Sequence, residues 1–108
     1  MIHQHVRQQE WLKQPLMSQL ANIGSEIFRA LQWKSKLNMP YAQEANKRAL
    51  ELFDLTLDSS RKASELKEIA RARELWLDFF VGENKYQQTE EQWKKYFYAF
   101  TYAAQINK

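Results

Sequence analysis

The residues best placed for chemistry in this sequence are charged ones at helical spacing. Arg71, Glu74 and Asp78 fall three and four residues apart, which gathers them onto one helix face. Arg73 stands beside them, flanked one turn away by Ile69, Ala70, Trp76 and Leu77, so its guanidinium turns toward an apolar seam. A cation there needs a carboxylate from another helix, because stranding a buried charge costs about 3–5 kcal/mol. Glu26 and Asp54 are the acids in reach, and Glu26 is the favoured partner because it stands on the shoulder of its own helix's stripe. With Arg29, Arg48 and Glu51, this set is either an acid–base or anion-gripping cluster, or an ion-pair network that locks helix register. The register lock is the expected reading, and no catalytic residue is assigned.

Other chemistries lack their parts. His3 and His5 form a His-x-His pair, but the chain has no cysteine and no further histidine to complete a metal site. Neither predicted core contains a histidine, so a di-metal carboxylate bundle and a nucleophilic triad are not expected. Two separated glycines make no phosphate-cradling loop. No cofactor and no metal are expected.

Aromatic residues are the second unusual feature, with four Trp, five Tyr and six Phe in 108 residues. Most belong in a core. Trp11, Tyr41, Tyr98 and Tyr102 are left over as exposed rings, and Lys94 and Lys95 adjoin the last two. Rings with polar tips suit protein contacts, self-association included. Beside lysines they would also stack on unpaired bases. The net charge of +3 is small, with basic residues in excess toward both ends and acids in excess between. A protein partner is therefore expected, and an RNA-associated accessory role is the alternative.

The elements that must position these residues are helices. Two glycines, two prolines and an abundance of Ala, Leu, Glu, Lys, Gln and Arg give an all-α fold. The stretch Ser64–Gly82 is the expected organiser. Its C-terminal half, with Leu75, Phe79 and Phe80, is apolar around most of its circumference and asks for neighbours on several sides. Before it, a helix starts at Pro15 and carries Leu16, Leu20, Ile23, Ile27 and Leu31 as its stripe. Met17, Gly24 and Phe28 flank that stripe, and the mid-helix Gly24 marks a close helix crossing. A second helix opens at Asn38-Met39-Pro40, with Asn38 as cap and a narrow face of Ala42, Ala45 and Ala49. Gly82 is expected to stop the third helix. Thr89-Glu90-Glu91-Gln92 reads as a capping box for the last.

The expected architecture is an antiparallel four-helix up-down-up-down bundle over residues 15–108, preceded by an arm or short extra helix at 1–14. No long apolar run marks a signal peptide or membrane span in MIHQHVRQQEWLK. With no cysteine, a cytoplasmic location is expected.

Two resemblances accompany this reading. Ala30–Leu52 resembles the hinge and second helix of one tetratricopeptide repeat, through Ala30, Ala42, Ala49 and the run Arg48-Ala49-Leu50-Glu51-Leu52. It departs from that pattern at Leu37, where a turn glycine is usual, and at Asn46, where an aromatic is usual. More widely, Asn22-Ile23-Gly24-Ser25-Glu26, Asp54-Leu55-Thr56, the central ARARELWLDFFVGEN and KYFYAFTYAA are similar to a family of small prokaryotic all-helical proteins. That resemblance implies a helical bundle and brings no activity, cofactor or partner.

Overall fold

The computed structural model describes residues 10–58 and 61–106. Among them the chain is all-helical, with four long helices: α1 (Leu16–Ser35), α2 (Met39–Leu57), α3 (Ala63–Phe80) and α4 (Glu90–Ile106). A short helical piece at residues 10–12 precedes them. None of the helices is long and apolar enough to cross a membrane among the described residues. His3 and His5 lie outside the described residues.

Local chemistry explains the helix ends. Pro15 is the residue before α1, so the helix starts at Leu16, one residue later than expected, and the Pro15 carbonyl accepts from Gln19 N. Asn38 caps α2 by accepting from Tyr41 N at 3.3 Å, with Pro40 in the first turn. The box at α4 closes reciprocally: Gln92 N donates to Thr89 Oγ1 at 3.2 Å, and Thr89 N donates to Gln92 Oε1 at 2.9 Å.

The first helix ends in an unexpected residue. Asn38 N donates to Trp33 O and Leu37 N to Lys34 O, the paired bonds of a Schellman turn. That turn needs a left-handed residue, and Leu37 fills the place with φ 61° and 90% exposure. Leu37→Gly is therefore expected to stabilise the protein by about 0.5–1 kcal/mol. The left-handed strain removed, about 1–2 kcal/mol, exceeds the extra chain entropy that glycine brings. Urea unfolding measures it, and a loss of stability would mean the leucine side chain makes a contact that matters.

The third helix stops differently from expectation. Gly82 does not adopt positive φ. Instead Asn84, at φ 54°, sends its N–H back to Asp78 O at 3.0 Å, while its side chain bridges to both backbone groups of Gln88. An asparagine tolerates this conformation because its short amide bonds locally.

The core is organised around α1 rather than α3. The α1 helix packs against both α2 and α4, whereas α3 packs chiefly on α2. Leu20, Ile23, Ile27, Ala30 and Leu31 of α1 are all buried, while α3 buries only Ile69, Ala72 and Trp76. Leu75, Phe79 and Phe80 are half-buried, and Ala70 is exposed. Apolar content on α3 overstates its burial because α3 packs chiefly on one neighbour, and Lys34 of α1 lies against the apolar end that remains. Its Nζ lies 5.6 Å from the Phe79 ring centre and 5.5 Å from that of Phe80.

Close approach makes the α1 contacts possible. At Gly24 an added Cβ would stand 2.7 Å from Cβ of Phe97 on α4, so only glycine admits this crossing. On the other flank, the buried Ala42, Ala45 and Ala49 of α2 present the small-residue face. Trp76 crosses from α3 to complete the centre. It is fully buried, stacks with Phe80 and meets Trp93 of α4 edge-on at 5.5 Å. Its Nε1 donates to Asn46 Oδ1 at 2.7 Å, which explains why α2 carries an asparagine on its inner face.

Candidate functional site

Glu26 is the buried acid among the described residues, and its partners are not those expected. Its carboxylate accepts from Arg29 Nη1 on its own helix and from Arg48 Nε on α2. Arg73 pairs instead with Asp54, Nε to Oδ1 at 3.0 Å. The cause is the rotation of α3: Arg73 reaches the rim of the α2–α3 seam, where its side chain is 30% exposed and that of Asp54 58% exposed. Such a pair is a surface contact worth up to about 1 kcal/mol.

The remaining members of the charged set are dispersed. Arg71 lies over the Tyr86 ring at 5.9 Å. Asp78 accepts from Tyr86 N at 3.3 Å and helps hold the loop after α3. Glu74 and Glu51 are exposed. Same-face spacing on α3 thus brings Arg71 and Asp78 to opposite parts of Tyr86, its ring and its backbone N–H, and leaves Glu74 exposed, rather than making one charged cluster. Among the described residues, no group of three or more His, Cys, Asp or Glu could hold a metal ion.

The ring set divides as well. Trp11 is buried, 6% exposed, and so leaves the list of surface rings. Its Nε1 donates to Thr56 Oγ1 at 2.9 Å, and its carbonyl accepts from Gln19 Nε2 at 2.7 Å. This double anchor fastens residue 11 over the end of α2; nothing in the N-terminal spacing pointed to Thr56. Tyr41 is exposed and packs edge-on against Trp33 at 4.9 Å, at the α1–α2 turn.

Three of the other candidates come together. Lys94, Lys95 and Tyr98 line a groove of about 570 Å³ on the outer side of α4, with Phe28, Ala99 and Glu91 completing it. Phe28 of α1 is the residue that sequence spacing missed, since it flanks its stripe and reads as core. Tyr102 is exposed one turn beyond Tyr98, so the aromatic line continues along α4. A largely apolar trough edged by lysines can seat an apolar side chain and hold an acidic one beside it.

A second concavity lies between α3 and α4, about 360 Å³ in volume, lined by Leu75, Trp93 and Tyr96 among others. The Tyr96 hydroxyl donates to Glu68 Oε1 at 3.3 Å. Burial, with the Glu68 charge and hydrogen bond adding to it, pushes the Tyr96 phenol up to about 12, so it stays a donor across the neutral range. Comparison with protein families, curated proteins and solved structures finds no match.

Proposed function

We propose that this chain is a non-enzymatic helical module that binds a protein partner through the α4 groove. The observation that carries the reading is the meeting of Phe28, Tyr98 and Ala99 with Lys94 and Lys95 in one trough. Apolar rings with polar tips give contact area at low entropy cost, and the lysines select an acidic, apolar segment. An amphipathic helix with acids beside its apolar stripe has that chemistry. The separation of the charged side chains supports a binding role over catalysis: Glu26 is satisfied by two arginines, and Arg73 by Asp54.

We further infer that α1–α4 return antiparallel as a four-helix bundle after the N-terminal piece. The support is the order of cross-contacts: Trp33 meets Tyr41 while Glu26 meets Arg48, and Asn46 meets Trp76 while Asp54 meets Arg73. In this arrangement the groove is a rigid surface built on two packed helices.

A photo-crosslinking side chain at position 98, compared with one at exposed position 44 on α2, tests the reading in the source cell. One protein adduct is expected from 98 only, through a peptide rich in acids and large apolar residues, and reduced about tenfold by Lys94→Glu/Lys95→Glu. Adducts to a second copy of the chain would make the groove a self-association face. The same groove has the basic and aromatic parts of a single-strand RNA site. Submicromolar RNA binding at physiological salt, lost in the same double variant, would overturn the protein-partner reading.

A further inference from the structure

The turn between α1 and α2 carries a strain that no packing inside the molecule offsets. Leu37 sits in the left-handed region at φ 61°, which its side chain disfavours, and that side chain is 90% exposed. Strained residues of this kind gather where a chain meets a ligand or partner. Met39 and Tyr41 follow it, both exposed, and Trp33 stands half-exposed one turn before. The other three tryptophans, Trp11, Trp76 and Trp93, are buried. Lys34 Nζ lies 5.5 Å from the Phe80 ring centre, so the end of α3, with exposed Val81, stands at the same end of the molecule.

Charge on this turn has one sign. Between Glu26 and Glu44 the chain holds Arg29, Lys34 and Lys36 and no acid. Both lysines flank the tip in set places: Lys36 Nζ lies over the Trp33 ring at 5.3 Å, and Lys34 Nζ over Phe79 and Phe80. On the neighbouring α3–α4 loop the exposed Glu83 and Lys85 offset each other. Glu91, at the start of α4, shares its groove with Phe28, about two turns back from the end of α1. Ser35 to Leu37 and Met39 to Tyr41 are exposed, so the turn is convex and has no walls to enclose a small molecule. An apolar tip, Trp and Tyr behind it and lysines on its flanks match the layers of a bilayer interface. Anionic headgroups complement the lysines.

We propose that the α1–α2 turn seats in the interface of an anionic lipid bilayer, with Leu37 as the inserted side chain and Lys34 and Lys36 against the headgroups. Trp33 and Tyr41, edge-on to each other at 4.9 Å, lie at the level between headgroups and acyl chains. The contact is peripheral and reversible, because one small apolar tip with a few cations partitions weakly. It uses the end of the molecule and stands independently of the α4 groove.

Co-sedimentation of the full chain with vesicles of phosphatidylcholine and phosphatidylserine, at about 3:1, tests this at low salt. Binding is expected, and about tenfold weaker binding to pure phosphatidylcholine. Lipids brominated in the upper acyl chain should quench the chain's tryptophan fluorescence, and Trp33→Phe should remove most of that quenching. Leu37→Gly should weaken binding about tenfold while the melting temperature holds or rises, so the loss does not come from unfolding. Leu37→Asn, which also tolerates the left-handed turn, should behave the same way. Lys36→Glu should weaken binding about tenfold, whereas Lys67→Glu, the same charge change on the exposed side of α3, should not. No binding to the mixed vesicles would overturn the proposal, as would equal binding to pure phosphatidylcholine. Undiminished binding by both Leu37 variants, or equal losses from Lys36→Glu and Lys67→Glu, would reduce the effect to adsorption by net charge and overturn it as well.

Discussion

Trp76→Ala is expected to cost about 3–5 kcal/mol, as for other large buried aromatic truncations. Two terms act together. The indole is fully buried at the point where α2, α3 and α4 meet, and its removal opens a cavity under Phe80 and Trp93. The Asn46 Oδ1 atom, which accepts its N–H at 2.7 Å, would be left buried without a donor. Trp76→Phe separates these terms, because it keeps most of the ring and strands only Asn46; about 1–3 kcal/mol is expected. Leu75→Ala and Phe80→Ala fall on half-buried positions and should each cost less than Trp76→Ala. Urea unfolding of the four variants checks the order. A loss below about 1 kcal/mol for Trp76→Ala would place the core elsewhere.

The second large effect is an asymmetry around Glu26. Its side chain is 7% exposed, whereas those of Arg29 and Arg48 are 60% and 47% exposed. Arg29→Met/Arg48→Met strands a buried carboxylate, and about 3–5 kcal/mol is expected to be lost. Glu26→Met leaves two guanidiniums that water can reach, so its cost should be well below that of the double variant. Adding Glu26→Met to the double variant should restore most of the loss, a non-additivity that only a coupled triad produces. Additive losses across the cycle would show that the three side chains act separately. Arg73→Met, by contrast, breaks a half-exposed pair and should stay within about 1 kcal/mol.

Much of the local structure was legible before any coordinates. Asn38 and Pro40 announced α2, and the Thr89–Gln92 box announced α4, because capping is settled within one turn by bonds between near neighbours. Gly24 announced a close crossing, since a mid-helix glycine is unfavourable unless something approaches it. The all-α class followed from composition. The turn at Leu37 was not legible, because a leucine is accepted in a left-handed position only when the helices on both sides hold it there.

The chain's own spacing determined which residues share a helix face: Ala42 with Ala45 and Ala49, Leu20 with Ile23 and Ile27, Tyr98 with Tyr102. Only the tertiary structure decided which face meets which. It set α1, not α3, between two neighbours, gave Glu26 to Arg48, gave Arg73 to Asp54, closed Trp11 over Thr56, and brought Phe28 to the lining of the α4 groove. The physical reason is one of degrees of freedom. A 3.6-residue period orients side chains around one axis, but the rotation and crossing of two helices come from many weak contacts summed over both surfaces. A small turn of α3 about its axis moves Arg73 from a buried seam to its rim, and no spacing within α3 records that turn.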